Sequence, residues 1–449
     1  MDEISGIQAM AWGLLDGGVE LVTAYPGFHA HDLARLMDVG IFSVNEKNAL
    51  AVAWGASLAG IRSAAIFKNV GLNDAADPYV NICVLGVRAG MVLVVLDDID
   101  VEQSQIQQDS RPYAEFPCSL WLEPRSVQDA YELARFAPEL SERLRTLVVL
   151  RITNLLTRAV GSVTRRAPTG NRLRWCRAPE EWVAHPVYGE VQRKRLEERQ
   201  KAIECWVDGA YPQPSVVFNA RIRVAAGMIA SLAEEPPDLC VYTLPPPRRW
   251  LEALADSAAE VIVEEHGGPY LTNKIAAVLG DRRVTAKLIR PKVSRHYRIT
   301  DRYEPLYALL RAVPHHVIVG DLGGHTLDPH HTVDACLCYG CSVGVATGIA
   351  LADPSLHVIC VTGDAAFFHS GKAALEEAFA RRVAMTVIVL VNGGAVSTGG
   401  QSVPGNCRID ATELESHDLD FPSCGNTATL SALLQPPNSL QLIRIKTPF

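Results

Sequence analysis

Short apolar runs alternate with segments of helical periodicity along the first third of the chain. The runs that predict strands are LVTAYPG (21–27), FSVNE (42–46), SAAIFK (63–68), MVLVVLDD (91–98) and TLVVLRIT (146–153). Between them, HDLARLMD (31–38) and NALAVAWGASLAG (48–60) predict helices. Continuous apolar runs of this length are typical of parallel strands that are buried on both faces, and their alternation with helices predicts an α/β layer fold.

The alternation stops between residues 160 and 205, where the sequence is rich in charged residues, and then returns. The later strands are predicted at DLCVYTL (238–244), EVIVEEHGG (260–268), HVIVGDLG (316–323), HVICVTGD (357–364), MTVIVLVNGG (385–394) and LQLIRIKTP (440–448). Helices are predicted at 271–280, 340–352 and 371–382. We therefore predict α/β modules at 1–158, 213–312 and 313–449, with a linker at 159–212.

The composition of the chain argues against nucleic-acid binding and against a membrane span. The chain has 449 residues, 48% hydrophobic and 20% charged, and a net charge of −8, which gives no electrostatic footprint for nucleic acid. The N-terminal MDEISGIQAM lacks a basic, apolar targeting pattern, and no apolar run approaches the roughly 20 residues of a membrane span. We expect a cytoplasmic protein whose partners are small molecules or other proteins.

The most informative polar residues follow two consecutive strands of the last module. Gly363 and Asp364 end one predicted strand, and Asn392 ends the next one, 28 positions later. Adjacent parallel strands bring both side chains to the ligand-binding edge of the sheet. Their oxygens suit Mg²⁺, and the helix that follows Asp364 suits a phosphate at its N-terminus. The alternative is an aspartate that caps a helix and an asparagine in a turn.

This spacing resembles the thiamine diphosphate motif, in which GD is followed by N after about 28 residues. The resemblance implies that Mg²⁺ is held by the side chains of Asp364 and Asn392 and the carbonyl of Gly394, and that the amides of Ala365 and Ala366 face the diphosphate. Gly320–Asp321 also ends a predicted strand, but Ile349 stands 28 positions later, so this second GD cannot be the same site.

Longer motifs resemble one family over nearly the whole chain, the α subunits of indolepyruvate:ferredoxin oxidoreductases. They are AYPGFHAHDL, NEKNALAVAWGASLAG, FKNVGLNDAADPYVN, VIVEEHGGPYL, GDLGGHTL, DACLCYG, GDAAFFHSG and VNGGAVSTGGQ. The resemblance implies a pyrimidine-binding module, a transketolase-C-like module and a diphosphate-binding module, in that order. It implies that Glu46 is the glutamate that activates the cofactor, and that a homodimer is the smallest working unit. Taken alone, Glu46 is an ordinary first-turn helix acid.

Further residues are candidates for the substrate and cofactor pocket. Lys68, Asn69 and Asn73 match family positions, and a lysine there suits a substrate carboxylate. The alternative is a solvated loop lysine. Arg111 is a weaker candidate for substrate binding. His29, His31 and His325 are candidate proton donors. The resemblance places Tyr339 as the wedge under the cofactor, the carbonyl of Leu337 on its aminopyrimidine, and His369 in support of the diphosphate loop.

The cysteines suggest a departure from the family. Its oxidoreductases carry runs of C-x2-C-x2-C-x3-C-P that ligate iron–sulfur clusters, whereas only Cys407 and Cys424 follow Asn392 here. CLCYGCSVG (336–344) resembles a segment that contacts the cofactor, so we expect no cluster in this chain. We therefore predict non-oxidative decarboxylation of a 2-oxo acid, with aryl-pyruvate as the family's suggestion, giving an aldehyde or a carboligation product. The alternatives are the core of an oxidoreductase that uses a separate iron–sulfur subunit, and a non-catalytic scaffold.

Overall fold

The chain forms two compact units, Met1–Ser294 and Arg295–Phe449. The computed structural model describes residues 3–40, 42–99, 101, 104, 106–117, 119–170, 172–174, 178–182, 188–212, 221–257, 260–289, 302–313, 316–321, 323–330, 332–334, 336, 339–340, 342–396, 399–402, 414–421 and 427–447. Both units are α/β, with helices packed on largely parallel sheets, which confirms the predicted fold class.

The first unit contains two larger sheets. Its strands are β1 Ile4–Ser5, β2 Leu21–Ala24, β3 Ser63–Lys68, β4 Met91–Asp97, β5 Leu120–Leu122, β6 Val148–Thr153, β7 Val160–Gly161, β8 Arg221–Ala226, β9 Leu239–Val241, β10 Thr243–Leu244, β11 Glu260–His266 and β12 Val284–Ile289. Its helices are α1 Gly6–Asp16, α2 Ala30–Leu36, α3 Glu46–Leu58, α4 Gly71–Asp74, α5 Ala76–Leu85, α6 Val127–Leu144, α7 Asn154–Arg158, α8 Pro179–Trp182, α9 Gly189–Gly209, α10 Ile229–Leu232, α11 Arg248–Asp256 and α12 Tyr270–Leu279. Short 3₁₀ turns occur at Arg111–Ala114 and Asp281–Arg283.

The strand order explains the long apolar runs. The first sheet has the order β10-β5-β6-β4-β3-β2 and is parallel except for β10, and every residue of β4 and β6 is buried. The second sheet has the order β12-β11-β8-β9 and is parallel throughout. Strands enclosed on both faces have no polar alternation, which is what the sequence shows.

Two strand predictions in the first unit need correction. FSVNE does not form a strand: residues 42–45 form an irregular loop with Val44 exposed, and Glu46 begins α3. DLCVYTL divides into β9 and β10, which belong to different sheets because β10 pairs antiparallel with β5. β5 itself, Leu120–Leu122 in the stretch SLWLEPR, was not among the predicted strands.

The predicted linker is partly ordered against the first sheet's helices. The N–H of Thr169 donates to the carbonyl of Asp16 at 2.7 Å, and the N–H of Leu173 donates to the carbonyl of Gly60 at 2.9 Å. Its charged half forms α9, a helix of 21 residues. Residues 160–170 and 172–174 therefore lie along the first α/β layer, and backbone hydrogen bonds hold them there.

A buried arginine joins the two sheets of the first unit. Arg111, which is 1% exposed, follows the first sheet's β4, and its Nη1 donates to Oε2 of Glu265 at the end of β11 at 2.7 Å. Its Nη2 donates to Asp109 and to the carbonyl of Gly268 at 2.7 Å. The guanidinium of Arg111 is hydrogen-bonded inside the protein, so its geometry gives no support to the suggestion that Arg111 binds substrate.

Replacing Arg111 with alanine is expected to lower the free energy of unfolding by about 3–5 kcal/mol, because Glu265 would keep a buried charge without its partner. Urea unfolding of the purified chain, followed by circular dichroism, measures this change. Arg172→Ala is the matched control, since Arg172 pairs with Glu20 at the surface and should change stability by less than about 1 kcal/mol. An Arg111→Ala chain as stable as the control would show that the network does not hold the two sheets together.

The second unit is built on one parallel sheet of five strands. Its strands are β13 His316–Gly320, β14 His357–Gly363, β15 Thr386–Val391, β16 Gly394–Ala395, β17 Gln401–Ser402, β18 Glu415–Asp420 and β19 Gln441–Lys446. Its helices are α13 Glu304–Arg311, α14 Ser342–Ala352, α15 Asp364–Ala366, α16 Lys372–Ala380 and α17 Ala428–Leu433, with a 3₁₀ turn at Gly324–Thr326 and a π turn at Phe367–Gly371. The sheet order is β13-β14-β15-β19-β18, and β16 and β17 form a separate antiparallel pair.

Helices cover both faces of this sheet. On one face Val343, Ala346 and Leu375 pack on the strands, and on the other Leu306, Tyr307 and Leu310 of α13 do so. α13 therefore belongs to this unit, although the predicted boundary at 313 had placed its residues in the preceding module. Among the residues that the structure describes, no helix combines the length and the apolar character needed to cross a bilayer.

Candidate cofactor site

Asp364 and Asn392 lie together at the carboxyl edge of the second unit's sheet. β14 and β15 are adjacent and parallel, and Asp364 and Asn392 follow directly after them. Oδ2 of Asp364 accepts the N–H groups of Asn392 at 3.1 Å and of Gly393 at 2.7 Å. The 28-residue spacing thus corresponds to a direct contact, because one helical crossover returns the chain to the neighbouring strand.

The surroundings of this pair fit a metal ion and a phosphate group. A Cβ built on Gly363 or Gly393 would meet no atom of the described residues within 4 Å, so both residues adjoin open space in the described part of the unit. Asp364 is buried, and burial raises the pKa of its carboxyl group. A cation beside the carboxylate would lower that pKa again. Oxygen donors next to open space are what Mg²⁺ requires, since it retains water and substrate ligands.

The other residues of the predicted motif differ in the hydrogen bonds that they make. The N–H of Ala365 donates to Oδ1 of Asp364 at 2.8 Å, so this amide orients the carboxylate in the described arrangement. Ala366 lies in the first helical turn, where amides have no partner within the helix. The N–H of Gly394 donates to Oδ1 of Asn392 at 3.1 Å, which fixes the side-chain amide beside the open space. The roles of Ala365 and Ala366 at a diphosphate, and of the Gly394 carbonyl at a metal ion, stay predictions.

A π turn follows the aspartate and carries His369. π turns inside helices occur often at functional sites. The ring of His369 stands edge-on to Tyr339, with centroids 5.2 Å apart, and its Nδ1 lies 2.5 Å from Oγ of Ser370. Gly340 has a φ of +77°, and a Cβ there would lie 2.9 Å from Cβ of Ser370. The predicted wedge Tyr339 and the predicted support His369 are therefore brought together, whereas Leu337 lies outside the described residues.

Asp321 holds this loop in place, a role that the sequence analysis missed. Its Oδ1 accepts the N–H of Gly340 at 2.7 Å, and its Oδ2 accepts the hydroxyl of Ser342 at 2.7 Å. The hydroxyl of Thr362 donates to the same carboxylate at 3.2 Å. The GD at 320–321 had been used only to exclude a second metal motif, although a strand-end aspartate was itself the signal. Asp321 anchors the start of α14 next to the cofactor motif.

The cysteine-rich stretch is described only at Cys336, since Cys338 and Cys341 lie outside the described residues. Desolvation, followed by the negative charge of Asp321, raises the pKa of the Cys336 thiol to about 11.

His325 is buried, and its ring nitrogens are used within the second unit. Its Nε2 accepts the N–H of Asp321 at 3.3 Å, and the ring also hydrogen-bonds the backbone of Val361. Burial lowers the pKa of His325. These contacts favour a neutral, structural histidine, and its predicted role as a proton donor has no support in this geometry.

In the first unit, Glu46 is the first residue of α3 and is 6% exposed. The helix is capped by Asn45, whose side chain accepts the N–H of Asn48 at 2.8 Å. A surface glutamate in the first turn would point into solvent, whereas Glu46 is buried. Burial of the carboxylate is the feature that separates it from an ordinary first-turn acid.

His29 and His31 share one carboxylate. Nδ1 of His29 lies 3.2 Å from Oδ2 of Asp32, and Nε2 of His31 lies 3.2 Å from Oδ1 of the same residue. His29 has a φ of +59°, which is unusual for a residue with a side chain, and its Nε2 is buried with no hydrogen-bond partner among the described residues. Burial lowers the pKa of His29, so its ring is neutral near pH 7. The roles of His29 and His31 as proton donors stay predictions.

Lys68, Asn69 and Asn73 lie together, but their polar side-chain atoms bind other residues of the protein. Nζ of Lys68 lies 2.5 Å from Oδ2 of Asp98, and Nδ2 of Asn69 donates to Oδ1 of Asp98 at 2.7 Å. Nδ2 of Asn73 donates to the side chain of Gln108 at 2.9 Å. A substrate carboxylate would have to compete with the buried Asp98 for Lys68, and substrate binding by these three residues stays a prediction.

Comparison with known proteins agrees with the site. Residues 319–426 match the family model described as thiamine pyrophosphate enzyme, C-terminal TPP binding domain. The indolepyruvate oxidoreductase subunit IorA of Archaeoglobus fulgidus is 30% identical over 474 residues, covering 89% of this chain and 76% of that protein. The subunit of the same name from Methanothermobacter thermautotrophicus is 28% identical over 479 residues, with the same coverage of each chain.

A solved structure supports the fold alone. The 2-oxoglutarate:ferredoxin oxidoreductase from Magnetococcus marinus superposes with a TM-score of 0.52 at 15% identity, covering 64% of this chain and 62% of that one.

Proposed function

The chain belongs to the family of the indolepyruvate oxidoreductase IorA subunits, and we propose that it is the cofactor-binding subunit of a thiamine diphosphate-dependent enzyme that oxidises 2-oxo acids. The observation that carries the proposal is the contact of Asp364 with the backbone of Asn392 beside open space. A magnesium and diphosphate site requires oxygen ligands beside open space, and a scaffold subunit would not.

Each residue of the site has a task in this proposal. Asp364, Asn392 and the Gly394 carbonyl would hold Mg²⁺, and the first turn of α15 would receive the diphosphate. When bound, thiamine diphosphate supplies the electron sink that allows a 2-oxo acid to lose carbon dioxide. Glu46 would hold and move a proton at the aminopyrimidine ring, for which a buried, rigidly placed carboxylate is suited.

The comparisons favour oxidation over the non-oxidative decarboxylation expected from the sequence. The curated relatives are named oxidoreductase subunits, and the word subunit suggests that a second polypeptide carries the electrons onward. We infer the same division of labour here, with an aryl 2-oxo acid as the candidate substrate. Non-oxidative release of an aldehyde is the second candidate, and the buried, unpartnered Nε2 of His29 is the observation that favours it.

A homodimer remains part of the proposal, and two helices support it. α3 exposes Ala51, Val52 and Gly55 on one face, with Val52 44% exposed. α14 exposes Gly344 and Gly348, and a Cβ at either glycine would meet no atom within 4 Å. Helix faces of small apolar residues allow close approach of a second helix, and such faces seldom stay in contact with water.

Product analysis separates oxidation from non-oxidative decarboxylation. The purified chain, loaded with thiamine diphosphate and Mg²⁺, is incubated without oxygen with phenylpyruvate and with pyruvate, in the presence and absence of coenzyme A and a redox dye. Oxidation releases carbon dioxide and two electrons and transfers the acyl group to coenzyme A, so product should form only when dye is present. Aldehyde formed at the same rate without dye would favour the second candidate, and no product under any condition would contradict both.

A further inference from the structure

We propose that Gly71 is a positioning residue for Glu46, an inference that rests on the proposed function of Glu46. Gly71 is the first residue of α4, the single helical turn that follows β3. The absence of a side chain at position 71 leaves the space that the Glu46 side chain occupies.

The space is measured by adding a Cβ to Gly71. An ideal Cβ would lie 2.4 Å from Oε1, 2.5 Å from Cγ and 2.8 Å from Cδ of Glu46. Carbon atoms in proteins approach to about 3.5–4.0 Å, so the whole carboxyethyl group would have to move. The backbone of Gly71 is not in the left-handed region, so an alanine there would be tolerated if Glu46 were absent.

The other end of α4 contacts the same turn of α3. A carboxylate oxygen of Asp74 accepts the N–H of Lys47 at 3.3 Å, and Asp74 and Glu46 have carboxylate oxygens within 4.8 Å of each other. α4 thus contacts α3 twice, through a glycine that leaves room for the Glu46 side chain and through an aspartate that binds the backbone of the next residue. A movement of Glu46 away from α4 would leave α3 itself in place.

A substitution at Gly71 should therefore affect function more than stability. Moving the Glu46 side chain changes the side-chain torsions of one residue and leaves the Asn45 cap of α3 intact, whereas misplacing a catalytic group by about 1 Å can cost about 100-fold in rate. This separation distinguishes a positioning residue from one that only supports the fold.

The test uses Gly71→Ala in the full chain, with Gly189→Ala as the matched control. Gly189 is also the first residue of a helix in the same unit, and a Cβ there would meet no atom of the described residues within 4 Å. Three quantities are measured for each variant: the unfolding midpoint, the Kd of thiamine diphosphate with Mg²⁺ by calorimetry, and the exchange rate of the cofactor's C2 proton in deuterated buffer. The last reports proton transfer at the cofactor without substrate.

Gly71→Ala is expected to slow C2 exchange by about 100-fold, with the Kd and the unfolding midpoint close to those of the control. In a Glu46→Ala background the same substitution should have no further effect, because the side chain that it displaces is gone.

Gly71→Ala with the exchange rate of the control would overturn the positioning role, and so would a loss of equal size in both backgrounds. A normal exchange rate in Glu46→Ala itself would instead contradict the proposed function of Glu46.

Discussion

Replacing Asp364 with alanine is expected to weaken binding of thiamine diphosphate with Mg²⁺ by at least about 100-fold, since even residues behind the metal ligands change affinity by about 10–100-fold. Two effects combine in this variant. The proposed metal loses an anionic ligand, and the amides of Asn392, Gly393 and Ala365 lose the acceptor that orders the loop around the open space.

Calorimetric titration of the chain with thiamine diphosphate and Mg²⁺ measures the loss. Asp353→Ala is the matched control, because Asp353 is an exposed aspartate of the same unit whose carboxylate accepts the N–H and the hydroxyl of Ser355 in its own loop. The unfolding midpoint is recorded for both, and Asn392→Ala provides a second variant if Asp364→Ala fails to fold. Unchanged affinity in a folded Asp364→Ala chain would place the cofactor elsewhere.

Replacing Glu46 with alanine is expected to lower kcat by about 10²–10⁴-fold while the Kd of thiamine diphosphate changes less than about tenfold. The two sites have different tasks in the proposed function, since Asp364 and Asn392 would hold the charged end of the cofactor and Glu46 would act on its aminopyrimidine ring. Affinity and rate should therefore separate, with Asp364 controlling the first and Glu46 the second.

The measurement is turnover of a 2-oxo acid with a redox dye at saturating cofactor. Glu190→Ala is the control, because Glu190 is a first-turn helix acid like Glu46 but is exposed on α9. A Glu46→Ala chain that turns over as fast as Glu190→Ala would remove Glu46 from the reaction.

The sequence predicted the strands of the parallel sheets well, and the reason is physical. Strands such as β4 and β14 are enclosed by helices on both faces, so almost every position is apolar and the run is unmistakable. The strand prediction for FSVNE was wrong because a few apolar residues next to a helix can equally form a loop. Whether they form a strand depends on the strands with which they could pair. DLCVYTL could not reveal that its two halves join different sheets, since that depends on contacts with β5 and β8.

The cofactor motif was also predictable, because one strand–helix–strand unit fixes its geometry. The distance between Asp364 and Asn392 follows from the crossover of a parallel sheet, so spacing alone carried the information. The partners of Lys68 and Arg111 could not be predicted in this way. Asp98 and Glu265 pair with them through contacts distant in sequence, and only the fold shows that each cation is already neutralised.

Two aspartates at strand ends show that a sequence pattern alone does not identify a metal site. Asp321 and Asp364 follow the same sequence pattern, a glycine and then an aspartate after a buried strand. Asp364 faces the open space at Gly363 and Gly393, whereas Asp321 is fully buried and binds Gly340 and Ser342. The pattern located both residues, and their neighbours in space decided which one suits a metal ion.

The most direct test of the account is a crystal structure of the chain grown with thiamine diphosphate and Mg²⁺. We predict an ion bound to oxygens of Asp364 and Asn392 at about 2.0–2.1 Å, with the diphosphate at the N-terminus of α15. Cofactor density at any other place, or none at concentrations that saturate the chain in solution, would contradict the account.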